Sequence, residues 1–237
     1  MKRVALALLL MMLPSAAQEV EQVTVYGGSL SGFWHISGPN WVQMNMLGKV
    51  TWGPVSDRIC RIGHGPEGYE TRCSNMQGKG GTLEVDGSRF HLAWGSMVAR
   101  MVFDGEVTSA TAFRGHFAIK PLGMTVTDPG LSEGRKITLD PAVPDTAGKA
   151  GLLRAVLNGE AVPHDPKLAD RIAAARADQS GPLQMIIFLG RQTRFGGPNI
   201  AWVPDYFAVY AVEYADGERI CWLHQDDDGK LAAFQCS

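Results

Sequence analysis

The sequence predicts an all-β barrel or sandwich followed by a small α+β domain, in which two short helices pack on a curved antiparallel sheet. Three observations support this fold class. Residues 20 to 139 alternate between short β-rich runs and turns, with no convincing amphipathic helix. A helical period is present between Asp145 and Pro182. The chain then ends in three β-rich runs separated by Asp216-Gly217 and Asp228-Gly229, a strong hairpin signal because type I′ turns need positive φ.

Residues Met1 to Ala17 have the pattern of a cleaved secretory signal peptide. A basic Lys2-Arg3 pair precedes an apolar run from Val4 to Leu13, and small residues lead up to the cleavage site. This apolar run is shorter than the roughly 20 residues that a membrane-spanning helix needs. The sequence therefore predicts a mature chain that begins near Gln18, is periplasmic or secreted, and has no membrane span.

The predicted organisation places a signal peptide at residues 1–17, an all-β domain at residues 18–140 and an α+β domain at residues 145–237. The segment from Asp140 to Pro144 marks the boundary, because its two prolines make it stiff and the helical period begins only after it.

The first domain is predicted to contain eight to ten short strands. Turns at Asp86-Gly87 and Asp104-Gly105 would pair Leu83 with Phe90 and Val102 with Val107. Regular short strands with frequent turns are typical of a barrel or sandwich. The predicted β-rich runs are Val23–Tyr26, Phe33–Ser37, Trp41–Leu47, Arg58–Ile62, Tyr69–Cys73, Thr82–Trp94, Met97–Thr108, Thr111–Lys120, Met124–Thr127 and Lys136–Leu139, of which Thr82–Trp94 and Met97–Thr108 are each broken by one of these turns.

Two short helices are predicted in the second domain. Asp145 can cap the first, which ends at Asn158-Gly159, and Asp165-Pro166 supplies a cap and a first-turn proline for the second. Gly181-Pro182 ends the second helix. The residues predicted to face the core are Leu152, Leu153, Val156, Leu157, Leu168, Ile172 and Ala175.

The C-terminal strands form a curved sheet, which begins with an apolar strand from Leu183 toward Phe195. Two-residue loops at the two Asp-Gly pairs would place Val212 opposite Cys221, Glu213 opposite Ile220, and Leu223 opposite Phe234. One face then carries Tyr210, Val212, Cys221, Leu223, Phe234 and Cys236. The other, more mixed face carries Val209, Ala211, Glu213, Ile220, Trp222, His224, Ala233 and Gln235.

The four cysteines predict two local disulfides, Cys60–Cys73 and Cys221–Cys236. Each pair flanks a predicted turn, and each bridge would contribute roughly 3 kcal/mol in the chain-entropy model. The alternative is a zinc site, but the cysteine spacings lack the short pairs that zinc sites use.

From about Ala147 onward the order of elements resembles the cone-shaped α+β fold of the NTF2-like superfamily. The motifs that carry the resemblance are Tyr210-x-Val212-x-Tyr214-x-x-Gly217, Cys221-x-Leu223 and Asp228-Gly229-Lys230-Leu231. The resemblance implies a pocket between sheet and helices, in a family that includes enzymes, binding modules and interaction domains. In the first domain, Gly32-Phe33-Trp34 is similar to the Gly-x-Trp opening of lipocalin-like barrels and some exported inhibitors.

No common catalytic motif is present in the chain. The sequence has no H-E-x-x-H, no G-x-S-x-G and no phosphate-binding loop, and neither a metal site nor a cofactor is expected. His91 shares a predicted strand face with Arg89, and His116 shares one with Arg114 and Lys120, so both histidines are expected to be solvated.

The candidate ligand-binding residues are Glu213, Trp222 and His224, because a mixed apolar and polar wall suits a ligand pocket. His224 is the candidate general base. In the predicted register it lies some 13 Å from Glu213, which is too far for a catalytic pair.

The sequence thus predicts an exported, non-enzymatic protein that binds a partner protein or a small apolar ligand. The alternative is a pocket enzyme, a hydrolase or isomerase, that uses His224 as general base. Removing Lys2 and Arg3 changes the formal charge from −2 to −4 and leaves no basic block, so nucleic acid is not an expected partner.

Overall fold

The structure is a computed structural model that describes residues 24–25, 28–44, 50–65, 68–73, 81–95, 99–121, 126–127, 130–161, 163, 165–179, 181–193 and 206–236. The predicted signal peptide, Met1 to Ala17, lies outside the described residues.

An eight-stranded antiparallel barrel forms the first part of the structure. Its strands are β3 (Gly32–Met44), β4 (Val50–Gly65), β5 (Gly68–Cys73), β6 (Gly81–Asp86), β7 (Arg89–Gly95), β8 (Ala99–Ser109), β9 (Ala112–Pro121) and β11 (Ser132–Ile137). The short strands β1 (Thr24–Val25) and β2 (Gly28–Ser29) pair with each other, and β10 (Val126–Thr127) pairs antiparallel with β9. The barrel closes because β9 pairs with both β8 and β11, and β11 pairs with β3. Of the two predicted architectures, the structure shows the barrel.

Aromatic side chains fill the barrel. The ring of Phe113 lies 4.8 Å from Trp34, 5.0 Å from Phe90 and 5.6 Å from Phe103, measured between centroids. Phe103 also lies 4.7 Å from Phe117. All five residues are at most 5% exposed. An eight-stranded barrel is just wide enough for side chains to occupy its interior, and here they do so.

The predicted turn at Asp104-Gly105 is wrong, because β8 continues through both residues. A Cβ at Gly105 would overlap the rings of Phe90 and Phe103 inside the barrel. A glycine in a β-rich run can thus serve close packing within a strand instead of the positive φ of a turn. Gly105 leaves room for the two aromatic rings.

The predicted turn at Asp86-Gly87 exists, but its register differs by two residues. Gly87 has a φ of 60° and lies in the turn after β6. Leu83 consequently faces Leu92, and Phe90 faces Val85. Because the shift is an even number, each side chain remains on its predicted face of the sheet.

The second part of the structure contains two helices and a four-stranded sheet. These elements are α1 (Ala150–Asn158), α2 (Pro166–Ala177), β12 (Leu183–Thr193), β13 (Tyr206–Tyr214), β14 (Gly217–Gln225) and β15 (Leu231–Cys236). The predicted helix ends are confirmed at Gly159, which has a φ of 79°, and at Asp165, whose side chain accepts from the Lys167 N–H.

Asp145 does not cap α1 directly, as predicted, because the N-cap position belongs to Lys149. The Asp145 carboxylate instead accepts from the backbone N–H groups of Ala147, Gly148 and Ala150. It therefore organises the turn that leads into α1, and it also lies within hydrogen-bond distance of the Tyr210 hydroxyl.

Of the two C-terminal hairpins, only the second has the predicted register. Cys221 faces Cys236 and Leu223 faces Phe234, as predicted. In the first hairpin, Tyr214 pairs with Gly217, which makes Ala215 and Asp216 the loop residues. Every pairing in this hairpin therefore shifts by two residues from the prediction.

Both predicted disulfides are present. The Cα atoms are 4.0 Å apart in Cys60–Cys73 and 4.1 Å apart in Cys221–Cys236. The first bridge joins neighbouring barrel strands and the second joins β14 to β15.

The four-stranded sheet packs on both of its faces. One face covers α1 and α2, through residues that include Tyr210, Val212, Leu223 and Phe234. The opposite face packs on the outer wall of the barrel. The cluster there comprises Phe33 and Ile59 of the barrel with Ile187, Phe207, Val209, Ala211, Ile220 and Trp222 of the sheet.

A buried hydrogen bond joins the barrel to the sheet. The backbone N–H of Ile59 donates to Oε1 of Gln192 at 3.2 Å, and Gln192 is only 1% exposed. The sheet therefore lies between the helices and the barrel. Independent folding of residues 18–140 and 145–237 stays a prediction.

Candidate functional site

The structure distributes the three sequence-predicted ligand residues over the barrel-facing side of the sheet. Trp222 is 6% exposed and packs 4.3 Å from the ring of Phe207, within the cluster that contacts the barrel. His224 is partly exposed, and its ring lies 6.0 Å edge-on from the same phenylalanine. Glu213 is also partly exposed and pairs with Glu218 across the first hairpin.

These three residues do not converge on one point. In the observed register Glu213 lies opposite a residue that is six positions from His224 along β14. At about 3.3 Å per residue this separation is roughly 20 Å, which is longer than the predicted separation. Trp222 is occupied by packing against Phe207 rather than by an open cavity wall.

Charged residues instead come together on the outer wall of the barrel, in two parallel rows that cross its strands. The first, the histidine row, runs over β6, β7, β8 and β9. It consists of Glu84, His91, Asp104 and His116, each directly opposite the next. Acid and base alternate along this row, which is the favourable arrangement for cross-strand neighbours.

The second row, the arginine row, lies two residues further along the same strands. It consists of Asp86, Arg89, Glu106, Arg114 and Glu133, again with each residue opposite the next. Charge alternates here as well. Arg114 Nη2 lies 3.3 Å from Glu106 Oε2, and the two side chains are 57% and 47% exposed.

Most members of the two rows line a groove of about 710 Å³. Gly105 and Gly115, which face each other on β8 and β9, contribute to its floor. Leu131 lies at its edge and is 49% exposed, which makes it one of the large apolar side chains that the described part of the chain presents to solvent. We refer to this feature as the barrel groove.

His91 and Asp104 form a carboxylate–imidazole pair within the barrel groove. His91 Nδ1 lies 2.5 Å from Asp104 Oδ1. An ionised carboxylate can only accept, so Nδ1 of His91 donates to Asp104 and Nε2 takes no part in this contact. This geometry can orient a general base. However, the Asp104 side chain is 68% exposed, and none of the described residues that line the groove is a Ser, Thr or Cys that could serve as nucleophile.

His116 is held by the loop before β11. Its Nδ1 lies 2.8 Å from the carbonyl oxygen of Gly130, which can only accept, so Nδ1 carries the proton. Gly130 directly precedes Leu131. The contact thus ties the histidine row to the apolar edge of the groove.

The barrel groove is acidic overall. Its lining contains four carboxylates, from Glu84, Asp86, Asp104 and Glu106, and two guanidinium groups. These groups carry a formal net charge of −2, so acidic side chains outnumber the arginines in the groove.

Among the described residues, no group of three His, Cys, Asp or Glu side chains is placed to hold a metal ion. The described helices are also too short and too polar to cross a bilayer.

The pKa values of two buried tyrosines are raised by their surroundings. Burial, and then the neighbouring Asp145 charge, raises the pKa of the Tyr210 hydroxyl well above its ordinary value. Burial also raises the pKa of Tyr214 to about 12. Both hydroxyls therefore keep their protons near neutral pH, and Tyr210 acts as a donor that fastens the Asp145 turn to the sheet.

A turn at Asp104-Gly105, as predicted, would separate Asp104 from Glu106 and leave neither row recognisable in the sequence. If residues 99–109 are treated as one strand, Asp104 and Glu106 share a face, and the next strand offers Arg114 and His116 at the same spacing. The signal in the sequence is that acidic residues alternate along β8 and basic residues alternate at the same spacing along β9, which predicts cross-strand pairs of opposite charge.

Comparison of the chain with protein-family models, with curated proteins and with solved structures finds no match in any of the three.

Proposed function

We propose that this is an exported binding protein, which recognises a basic region of a partner protein through the barrel groove. The observation that carries the proposal is the pair of charged rows around the groove, with net charge −2 and an apolar edge at Leu131. Complementary charge promotes encounter and fixes register in protein interfaces.

The two charged rows contribute little to the stability of the fold. Exposed ion pairs contribute at most about 1 kcal/mol each, and Arg114–Glu106 is a pair of this kind. A groove wall with alternating charges does, however, match a polypeptide whose own charges alternate or are mainly basic. Recognition is therefore the better account of the two rows.

A protein partner is favoured over a small apolar ligand. The barrel interior, where such a ligand would bind, is occupied by the rings of Phe90, Phe103, Phe113 and Phe117. The enzyme alternative is less well supported, because His224 and Glu213 are far apart and the His91–Asp104 pair is open to water. Low-dielectric enclosure is what gives catalytic electrostatics their strength.

Export is part of the proposal. Two disulfides are typical of proteins that fold in an oxidising compartment, in agreement with the signal-peptide pattern of the first 17 residues. The NTF2-like resemblance of the second part also stays a proposal. Two helices covering one face of a four-stranded sheet are compatible with it, but the side chains between sheet and helices form a buried apolar cluster where the resemblance implies a pocket.

Reversing the charge of the groove should abolish capture of the partner. In a Glu84→Lys/Glu106→Lys variant the groove changes from net −2 to +2, so a basic partner would meet repulsion. We expect the immobilised wild-type protein to capture a defined basic protein from an extract of the exported fraction. Capture by the variant should fall by about tenfold or more, since like-charge contacts cost several kcal/mol.

The control is Glu160→Lys/Asp170→Lys, which makes the same change in net charge at exposed positions on the helical side. This variant should capture the partner as well as the wild type does. Equal capture by the groove variant and the control would show that the barrel groove is not the binding site, and absence of any captured basic protein would contradict the proposal as a whole.

A further inference from the structure

We infer that the protein forms a two-fold dimer through the outer edge of β15, which would join the sheets of two copies into one. This interface is separate from the barrel groove and goes beyond the proposed function. Within the described residues, β15 is the last strand of the order β12-β13-β14-β15, so its outer side has no strand partner.

The edge of β15 lacks the residues that usually protect an edge strand. Its sequence, Leu231 to Cys236, contains no charge and no proline. Such edges are templates for pairing with another chain. A groove of about 500 Å³ runs along this edge between β15 and α2, which gives a second strand room to enter.

The pairing register follows from the hydrogen-bond pattern of the second hairpin. Opposed residues in antiparallel strands alternate between hydrogen-bonded pairs, about 5.5 Å apart at Cα, and non-hydrogen-bonded pairs, about 4.5 Å apart. Cys221 and Cys236 are 4.1 Å apart at Cα, so theirs is a non-hydrogen-bonded pair. The Leu223–Phe234 pair two residues away is of the same kind. The backbone N–H and C=O of Phe234 therefore point away from β14.

A two-fold axis perpendicular to the sheet would place Phe234 opposite its own copy. The two residues would then exchange both of their outward hydrogen bonds. Ala233 would lie opposite Gln235 of the second copy, with matching side-chain faces. A register centred between two residues would instead oppose side chains from different faces, so the axis must pass through a residue.

Helix α2 has the charge pattern that such an axis requires. Arg171, Ala174 and Ala175 lie on one stripe of the helix beside this edge, and Asp178, the C-cap residue, continues that stripe. The two alanines are central, and the arginine and aspartate lie at equal distances on either side. In antiparallel copies of α2, Arg171 of each copy would meet Asp178 of the other, and the alanines would permit the close axis distance of about 8 Å.

The occupant of the edge is therefore a second copy of this chain. An unrelated peptide could pair with the backbone of β15, but nothing would make the charges of α2 symmetric about the centre of the groove. Self-complementary charge is the property of an isologous interface.

The test is a charge exchange measured by sedimentation equilibrium of the purified exported protein. The wild type should have twice the mass of one chain. Arg171→Asp and Asp178→Arg should each raise the dimer dissociation constant by about tenfold or more, because each brings like charges together. The double variant Arg171→Asp/Asp178→Arg restores opposite charges and should restore the dimer. Arg154→Asp, at an exposed position of α1, is the control and should leave the dimer unchanged.

Hydrogen exchange distinguishes the β15 edge from other dimer contacts. The amide of Phe234 should be protected in the wild-type dimer and exchange faster in Arg171→Asp, whereas the amide of Gln235, which points to β14, should be protected in both. A monomeric wild type, a dimer that survives both single reversals, a double variant that stays monomeric, or an unprotected Phe234 amide in the dimer would each overturn the inference.

Discussion

Replacing Trp222 with alanine is expected to lower the free energy of unfolding by about 3–5 kcal/mol, the range typical of large aromatic side chains removed from a core. Trp222 is 6% exposed and belongs to the cluster in which the sheet packs on Phe33 and Ile59 of the barrel. Its removal would leave a cavity at the contact between the two parts of the molecule. Urea denaturation followed by circular dichroism measures the change.

Trp222→Phe is the matched control. It keeps a ring against Phe207 and removes an indole N–H that has no hydrogen-bond partner in the described part of the chain. We expect a loss below about 1.5 kcal/mol for this variant. A loss of less than about 1 kcal/mol in the free energy of unfolding of Trp222→Ala would contradict the packing of the sheet on the barrel.

Gly115→Ala should destabilise the barrel by about 1–3 kcal/mol, the usual cost of overpacking. A Cβ at this position would overlap the carbonyl oxygen of Asp104 and the Cα of Gly105 on the neighbouring strand. Since both are backbone atoms, no side-chain rotation can relieve the overlap, and β8 and β9 would have to separate. The same denaturation experiment measures the loss.

The comparison variant is Gly151→Ala in α1, where an added Cβ meets no atom within 4 Å. Alanine is the better helix former, so this change should stabilise the protein by up to about 1 kcal/mol. The same substitution should thus have opposite effects at the two sites. A neutral Gly115→Ala would contradict the close approach of β8 and β9.

Side-chain alternation was the most reliable guide from sequence to structure. The predicted sheet face with Tyr210, Val212, Leu223 and Phe234 packs on the helices as one cluster. The prediction of this face is confirmed although the first hairpin is displaced by two residues, because an even displacement leaves every side chain on its face. The pairing register of a hairpin depends on which two residues form its loop. In the first hairpin these are Ala215 and Asp216 rather than the predicted Asp216 and Gly217.

Asp-Gly pairs have more than one structural role in this chain. Gly229 has a φ of 76° in a turn, as the hairpin signal requires. Gly105 instead lies in mid-strand, where it leaves room for Phe90 and Phe103. The Asp-Gly dipeptide is the same in both cases, but apolar residues flank it at Phe103 and Val107 in the strand, whereas Asp226 and Asp227 precede it in the turn.

The contact between sheet and barrel has a signal in the sequence. Phe33-Trp34 and Ile59-Cys60 put two apolar residues in succession on a strand, so both faces of that strand must be buried. The mixed face around Trp222 was the complementary surface. That face is largely an internal contact with the barrel rather than the predicted wall of a ligand pocket.

The central claim is that the barrel groove contacts a partner, and site-specific photocrosslinking tests it most directly. A photoreactive phenylalanine analogue at Leu131, on the edge of the groove, can be compared with the same analogue at Val143 in the segment before α1. The two side chains are 49% and 46% exposed, so both probes are equally accessible. We predict a discrete adduct of higher mass from position 131 and none from position 143. Adducts of equal yield from both positions, or none from position 131, would contradict the claim.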